Sequence, residues 1–498
     1  MRRIKLFIES AKSIDGRIIK LNKFKMFFTK FYISILLVLM AIVIYYCKVY
    51  LKMPTERDII PAIILIFIAS LELFIINIKL DIKWKLVCIL FLGLTLRGLW
   101  LLNINSVPTS DFRVIYECAQ NLLNGNVDAF WGSGYIARFP HLTIMVLYMA
   151  LMIKVFPGSN LIVMKIFSLL FGVLTIYLIY LLVREIFNSK KLGLYAAALA
   201  SVFPPLVTYV GVYCTENIAI PLYILSTYIF ILVVKNKKSK YYLILSGVIL
   251  SIGNLFRMVA TIMIIAFAMY LIIYTKDKFL EKVKKISLYL LPYLLVIFIV
   301  SSILQRIGIT EFPLWKGSEP KVTSILKGSN IESGGRWNEK DASIVNKYNY
   351  DYNKISEASK EIIIKRLTTT NASELGKFYL KKFAMQWNEG DFGGTFWSKL
   401  DVPEEEIIVD VSLDLLEIIY CFVMILVFLG IVNRLKNNKD FELNIIYLIL
   451  CGYGVMYLVT ESQGRYSLIV SWVFIVLATE GVRFLFRIFN GEEDFEKI

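Results

Sequence analysis

What most constrains this chain is a series of apolar runs at 31–51, 59–78, 84–102, 161–183, 192–210, 216–234, 241–257, 258–275, 286–304, 411–433, 442–460 and 466–486. Each is long enough to cross a bilayer. Hydrocarbon offers no water to a peptide group, so every such segment must satisfy its own backbone as helix. The hydrophobic share of 57% exceeds that of ordinary soluble domains. The expectation is an all-α, multi-span membrane protein with about twelve transmembrane helices. Segments 241–257 and 258–275 abut, which predicts two helices joined by a tight external turn near Arg257.

Sidedness comes from where the net charge of +16 sits. Arg2, Arg3, Lys5, Lys12, Arg17, Lys20, Lys23, Lys25 and Lys30 crowd the N-terminus, and further clusters lie at Arg184/Lys190/Lys191, Lys235 to Lys240, Lys276 to Lys285 and Arg434/Lys436/Lys439. Each flanks apolar runs, as cytoplasmic loops do under the positive-inside rule, and not as a nucleic-acid-binding surface does. Both ends are then cytoplasmic, the span number is even, and residues 103–138 lie outside; the basic residues of the 48–58 loop run against the rule. No early apolar core precedes a small-residue cleavage site, so no removable signal peptide is expected. The run 139–156, "FPHLTIMVLYMALMIKVF", would invert every later cluster if it crossed. It reads instead as an interfacial or re-entrant helix on the outer side.

The chain then divides into a basic cytoplasmic tail (1–30), a transmembrane catalytic module (31–304) with an outer loop at 103–160, an extracytoplasmic soluble domain (305–410), C-terminal transmembrane helices (411–487) and a cytoplasmic tail (488–498). The 305–410 stretch holds Trp315, Trp337, Tyr348, Tyr350, Tyr352, Phe378, Tyr379, Trp387, Phe392, Phe396 and Trp397, residues suited either to a folded core or to sugar contact, and 354–385 has helical periodicity. The cysteines Cys47, Cys88, Cys118, Cys214, Cys421 and Cys451 show no metal-ligand spacing. Only Cys118 and Cys214 fall near the outer face, where a disulfide between them is conceivable. His141 is the single histidine, which excludes a multi-histidine metal site and leaves room for a carboxylate-bound divalent cation.

Ionisable groups at the span ends facing one compartment are the features expected to carry function. On the outer side these are Asp111, Glu117, Arg138, His141, Glu216, Arg257, Glu461 and Arg465. Asp111 opens an amphipathic stretch, "TSDFRVIYECAQNLLNGN", with Phe112, Ile115, Tyr116, Ala119, Leu122 and Leu123 on one helical face. Thr109 or Ser110 would cap that helix and Gly125 would close it, and a first-turn acid suits the helix dipole. Glu216 behind Thr215 is again sound helix-start chemistry. Glu461 and Arg465, four apart, would pair across one turn. One carboxylate among several cations also suits transfer of a sugar from a lipid phosphate to a hydroxyl: a base takes the acceptor proton, and cations take the phosphate charge. A serine or cysteine hydrolase would need a partnered histidine.

The order "SDFRVIYECAQNLLNG", "YIARFPHLTIMVLYMALMIKVFPGSN", "FPPLVTYVGVYCTEN" and "ESQGRYSLIV" resembles the GT-C superfamily of polyprenyl-phosphate-sugar-dependent glycosyltransferases, in particular its protein mannosyltransferase and aminoarabinose transferase branch. The resemblance implies a GT-C-like fold with outer juxtamembrane helices and one outer domain. It implies inverting transfer from a polyprenyl-phosphate-sugar donor to a cell-envelope glycan, lipid or protein at the outer face of the plasma membrane. By the same resemblance Asp111 is the general base and Arg257, Arg465 and Glu216 attend the donor phosphate; Arg138, His141 and Glu461, by their place on the outer side, are the candidate acceptor or supporting residues. The chain departs from the family where Phe112 stands in place of a second acid and where "RFPHL" has one proline. A flippase for the lipid-linked sugar, a ligase or polymerase moving a whole glycan, and a glycan-binding scaffold are the alternative readings.

Overall fold

A computed structural model describes residues 2–437 and 440–490, with side chains for residues 23–49, 51–437 and 440–489. The basic side chains from Arg2 to Lys20, Lys439 and residues 491–498 of the expected C-terminal tail lie outside the described residues. Helix dominates throughout, and the described residues contain no strand beyond a single antiparallel bridge between Ile104 and Ile407.

Eight of the expected spans are helices long and apolar enough to cross a membrane alone. Three more form shorter apolar helices, Tyr242–Phe256, Thr261–Tyr274 and Leu443–Val459. The first two are joined by a four-residue turn starting at Arg257, as their sequence predicts. The expected span 192–210 is not one helix. It breaks at Phe203 into Lys190–Val202 and Pro204–Gly211, bent by 63°. Pro204 lacks an amide donor and forces the preceding residue out of helical geometry, so carbonyls at the end of the first segment lose their partners. Fully buried Arg97 replaces them, donating to Ala200 O at 3.0 Å, Ser201 O at 3.0 Å and Gly93 O at 3.1 Å.

The segment 139–156 is one arm of a bent pair of helices. It forms a 3-10 turn, Pro140–Leu142, and a 13-residue helix, Thr143–Val155. That helix is about 20 Å long, short of the ~30 Å hydrocarbon thickness, and meets the preceding segment at 106°. It packs on the amphipathic helix Ser110–Leu123 through Ile115, Cys118, Met145, Val146 and Met149, a cluster separate from the main core. Cys118 lies in this cluster and Cys214 in the main core; both are free, so no disulfide joins them.

Within 305–410 the helical periodicity resolves into two helices, Tyr352–Thr369 and Ala372–Trp387. The first contributes Ile355 and Ile363 to a small core with Leu326, Ile344 and Val345. The second instead faces the bundle: Phe383, Trp387 and the following Phe392 belong to the main core. Lys382 ties the two layers together by donating to Gly328 O at 2.7 Å, Leu458 O at 2.8 Å and Thr460 O at 2.7 Å.

Candidate active site

The helix carrying Asp111 starts under strain. Thr109 occupies the capping position but makes no side-chain cap bond, and its buried hydroxyl has no hydrogen-bond partner. Ser110 sits at φ 47°, a left-handed conformation costly for any residue but glycine. The expected cap by Thr109 or Ser110 is therefore not made, whereas Gly125 closes the far end at φ 83°, as expected. Freed from the helix end, the Asp111 carboxylate accepts a 2.7 Å hydrogen bond from Arg465 Nη2. The two residues are 354 positions apart.

Arg465 belongs to the 3-10 segment Gly464–Val470 that leads into the last long helix. Its guanidinium lies 5.2 Å from the Trp397 ring centre, 5.4 Å from that of Tyr466 and 6.0 Å from that of Phe112. Arg257, in its turn between two short helices, lies 5.1 Å from the same Tyr466 ring. Its Nε is 3.2 Å from Glu216 Oε1. That pair is a charge contact and not an aligned hydrogen bond, because Arg257 Nε–H finds no acceptor in line. Glu216 is buried and accepts 2.9 Å from the Thr215 hydroxyl, which therefore serves the carboxylate and leaves the helix amides uncapped. Tyr466 thus seats two arginines on one aromatic ring, and a carboxylate faces each arginine.

Of the remaining predicted residues, His141 lies near this group, Glu461 reaches it only through the Tyr466 hydroxyl, which donates to Glu461 Oε1 at 3.4 Å, and Arg138 does not join it. Arg257, Lys321 and Arg465 surround His141, and burial together with these cations pulls its pKa far down, so the imidazole is neutral. Glu461 does not pair with Arg465. Residues 461–463 are not helical, so the one-turn geometry is absent, and Glu461 instead meets Lys327 of the 305–410 stretch at 2.9 Å. Arg138 is engaged by the same stretch: its Nε and Nη2 donate to Glu319 Oε2 at 2.9 and 2.7 Å, and Tyr350 covers it at 5.7 Å.

Sequence reasoning missed Tyr466, Lys321 and Glu389. The last lies in "WNEGDFGG", whose acids among glycines were the available signal. The Glu389 carboxyl rests against Gly464, where any side chain would collide with it, so it borders the segment that holds Arg465. Burial and neighbouring Asp391 push its pKa up to about 7, opposed by Arg336. Asp391 itself accepts from the Gly393 and Thr395 amides at 3.0 and 2.6 Å, anchoring the loop to the short helix Gly394–Lys399 that presents Trp397.

Residues 141–304 match the family model described as dolichyl-phosphate-mannose-protein mannosyltransferase. No curated protein matches the chain in sequence. Among solved structures, the archaeal oligosaccharyltransferase AglB from Archaeoglobus fulgidus, in complex with an inhibitory peptide and a dolichol-phosphate, is 14% identical with a TM-score of 0.46 over 83% of this chain and 52% of that one. The apo oligosaccharyltransferase from the same organism is 14% identical with a TM-score of 0.48 over the same shares, 83% and 52%. The chain spans about half the length of these structures. The matched stretch 141–304 contains His141, Glu216 and Arg257, and over that stretch the chain is similar to this mannosyltransferase family.

Proposed function

We propose that this protein moves a sugar from a polyprenyl-phosphate donor to a hydroxyl of a cell-envelope glycan, lipid or protein at the outer face of the plasma membrane, with inversion. The observation that carries the reading is the Asp111–Arg465 pair beside the Arg257–Glu216 pair across Tyr466. Asp111 takes the proton of the acceptor hydroxyl. The acceptor oxygen attacks the anomeric carbon from the face opposite the phosphate, the carbon–oxygen bond to phosphate breaks, and its electron pair stays on the leaving phosphate. Arg257 and Arg465 offset that charge, and a phosphate leaving group needs no proton to depart.

The resting ion pair has a role in this scheme. Arg465 binds Asp111 at a partly exposed position, with 39% of the carboxylate side chain accessible. An arriving donor phosphate competes for that guanidinium, and its binding releases Asp111 toward the acceptor. Positive charge at the site comes from arginine, so transfer is proposed to proceed at the same rate with and without added Mg²⁺. The outer domain, held through Arg138–Glu319 and Lys327–Glu461, would cover the acceptor side.

The test is sugar transfer by the detergent-purified protein from a synthetic polyprenyl-phosphate sugar, with Asp111→Asn as comparison. Loss of a positioned base predicts a fall of about 10²- to 10⁴-fold with unchanged thermal stability. Full activity of the variant would sink the assignment of Asp111. Wild-type protein that transfers nothing in micelles, yet moves donor across vesicles, would establish the flippase reading instead. Mass spectrometry of the product separates a single sugar from a whole glycan.

A further inference from the structure

Apart from the site above, the described residues contain one group of cysteine and carboxylate side chains that could hold a metal ion. Cys47 near the end of the first helix, and Glu417 and Cys421 in the helix Leu413–Lys436, place their ligating atoms within 4.8 Å of one another. Glu417 and Cys421 are one turn apart and so face the same way. Cys47 is fully buried, and its Sγ lies 3.8 Å from the Asn388 carbonyl oxygen. Cys421 Sγ lies 3.6 Å from Glu417 Oε1. Spacing along the sequence hides this group, because about 370 residues separate its two halves.

We propose that Cys47, Glu417 and Cys421 form a structural site for one thiophilic divalent cation, zinc being the expected one, with the Asn388 carbonyl as the nearest further oxygen. Two sulfurs and one carboxylate oxygen are a donor set that favours zinc over magnesium or calcium. Tetrahedral zinc separates such ligands by about 3.5–3.8 Å. Binding replaces the two thiol protons, which leave to solvent, so the occupied site carries two thiolates and a carboxylate around the ion. The Gly390 amide faces Glu417 and offsets part of the residual negative charge.

The site would act as a brace. It joins the first helix to Leu413–Lys436 directly beneath residues 388–390, and Glu389 in that loop abuts Gly464 beside Arg465. The inference concerns metal binding and stability, and it stands whatever sugar or acceptor the enzyme uses.

The experiment titrates Co²⁺ into full-length protein in detergent that has been reduced and stripped with a chelator. Expected are cobalt–thiolate absorption bands saturating at about one equivalent, their loss on adding Zn²⁺, and a rise in Tm with Zn²⁺. Cys47→Ser and Cys421→Ser abolish the bands, Glu417→Gln weakens affinity by about tenfold or more, and Cys88→Ser changes nothing. Should the serine variants fail to fold, the titration and zinc content of the wild-type protein decide alone. Absence of thiolate bands, bands that persist in Cys47→Ser, or a Cys47–Cys421 disulfide in the protein as isolated would each overturn the proposal.

Discussion

Two regions of this molecule place an arginine near an acid, and they serve opposite ends. Arg97 is wholly buried among the spans, and both of its terminal nitrogens donate to backbone carbonyls, while nearby Glu72 accepts a 2.5 Å bond from the Ser201 hydroxyl. Arg465 and Asp111 meet at the mouth of the bundle, with 18% and 39% of their side chains accessible. The first arrangement repairs a helix broken by proline. The second has aromatic rings as its neighbours and a carboxylate as its partner, which on the proposed function a donor phosphate would displace. Charge alone therefore does not mark a site in a membrane protein; what else the arginine is asked to bind does.

The comparison is broken most forcefully by exchanging its two arginines for methionine. Arg465→Met is expected to lower transfer by about 10²- to 10³-fold while Tm stays near the wild-type value. Arg97→Met leaves buried carbonyls without donors, and unsatisfied groups of that kind cost about 1–3 kcal/mol each. Its expected outcome is a large loss of thermal stability and of yield in detergent, with normal activity per folded molecule. If Arg97→Met instead abolished transfer in a stable protein, the division between structural and catalytic arginines would fail.

A smaller effect concerns Glu389, which borders the Arg465 segment. Its folded pKa of about 7 stands above the ordinary 4.5. The folded protein holds this proton more tightly than the unfolded chain does, so the contribution to stability is complete below pH 4.5 and fades as pH rises through about 7. Its magnitude is about 1–3 kcal/mol, read as a difference between wild type and Glu389→Gln in Tm measured from pH 4.5 to 8. A constant difference across that range would place Glu389 in a more solvated setting than the loop provides.

The smallest effect is a control on the same helix as Asp111. Arg113 pairs with Asp401 at 2.8 Å, but both side chains are well exposed, at 51% and 43%. Such pairs contribute about 0–1 kcal/mol, so Arg113→Ala is expected to leave Tm and transfer nearly unchanged. A strong activity loss there would show that the helix position, and not the Asp111 carboxylate alone, is what matters.

Much of the architecture was legible in the sequence because hydrocarbon allows so few solutions. Every apolar run became helix, and the turn at Arg257 appeared where two runs abut. The split at Phe203 was written in "FPPL" yet read as one span, since apolar content masks a proline break. The pairing of Glu461 was misread because a spacing of four implies a contact only within a helix. Whether an outer residue meets bundle or lid, as with Phe383 and Trp387 against Ile355 and Ile363, depends on packing that periodicity does not encode.

What the sequence determined by itself is a helical membrane protein with its acids and cations gathered at span ends, because insertion energetics act locally on each segment. Which charges meet was decided only by the tertiary structure. Asp111 finds Arg465 354 residues away, Glu461 finds Lys327, and Cys47 finds Glu417 and Cys421. Such pairings are fixed by how helices pack against one another, and packing is a property of the assembled bundle.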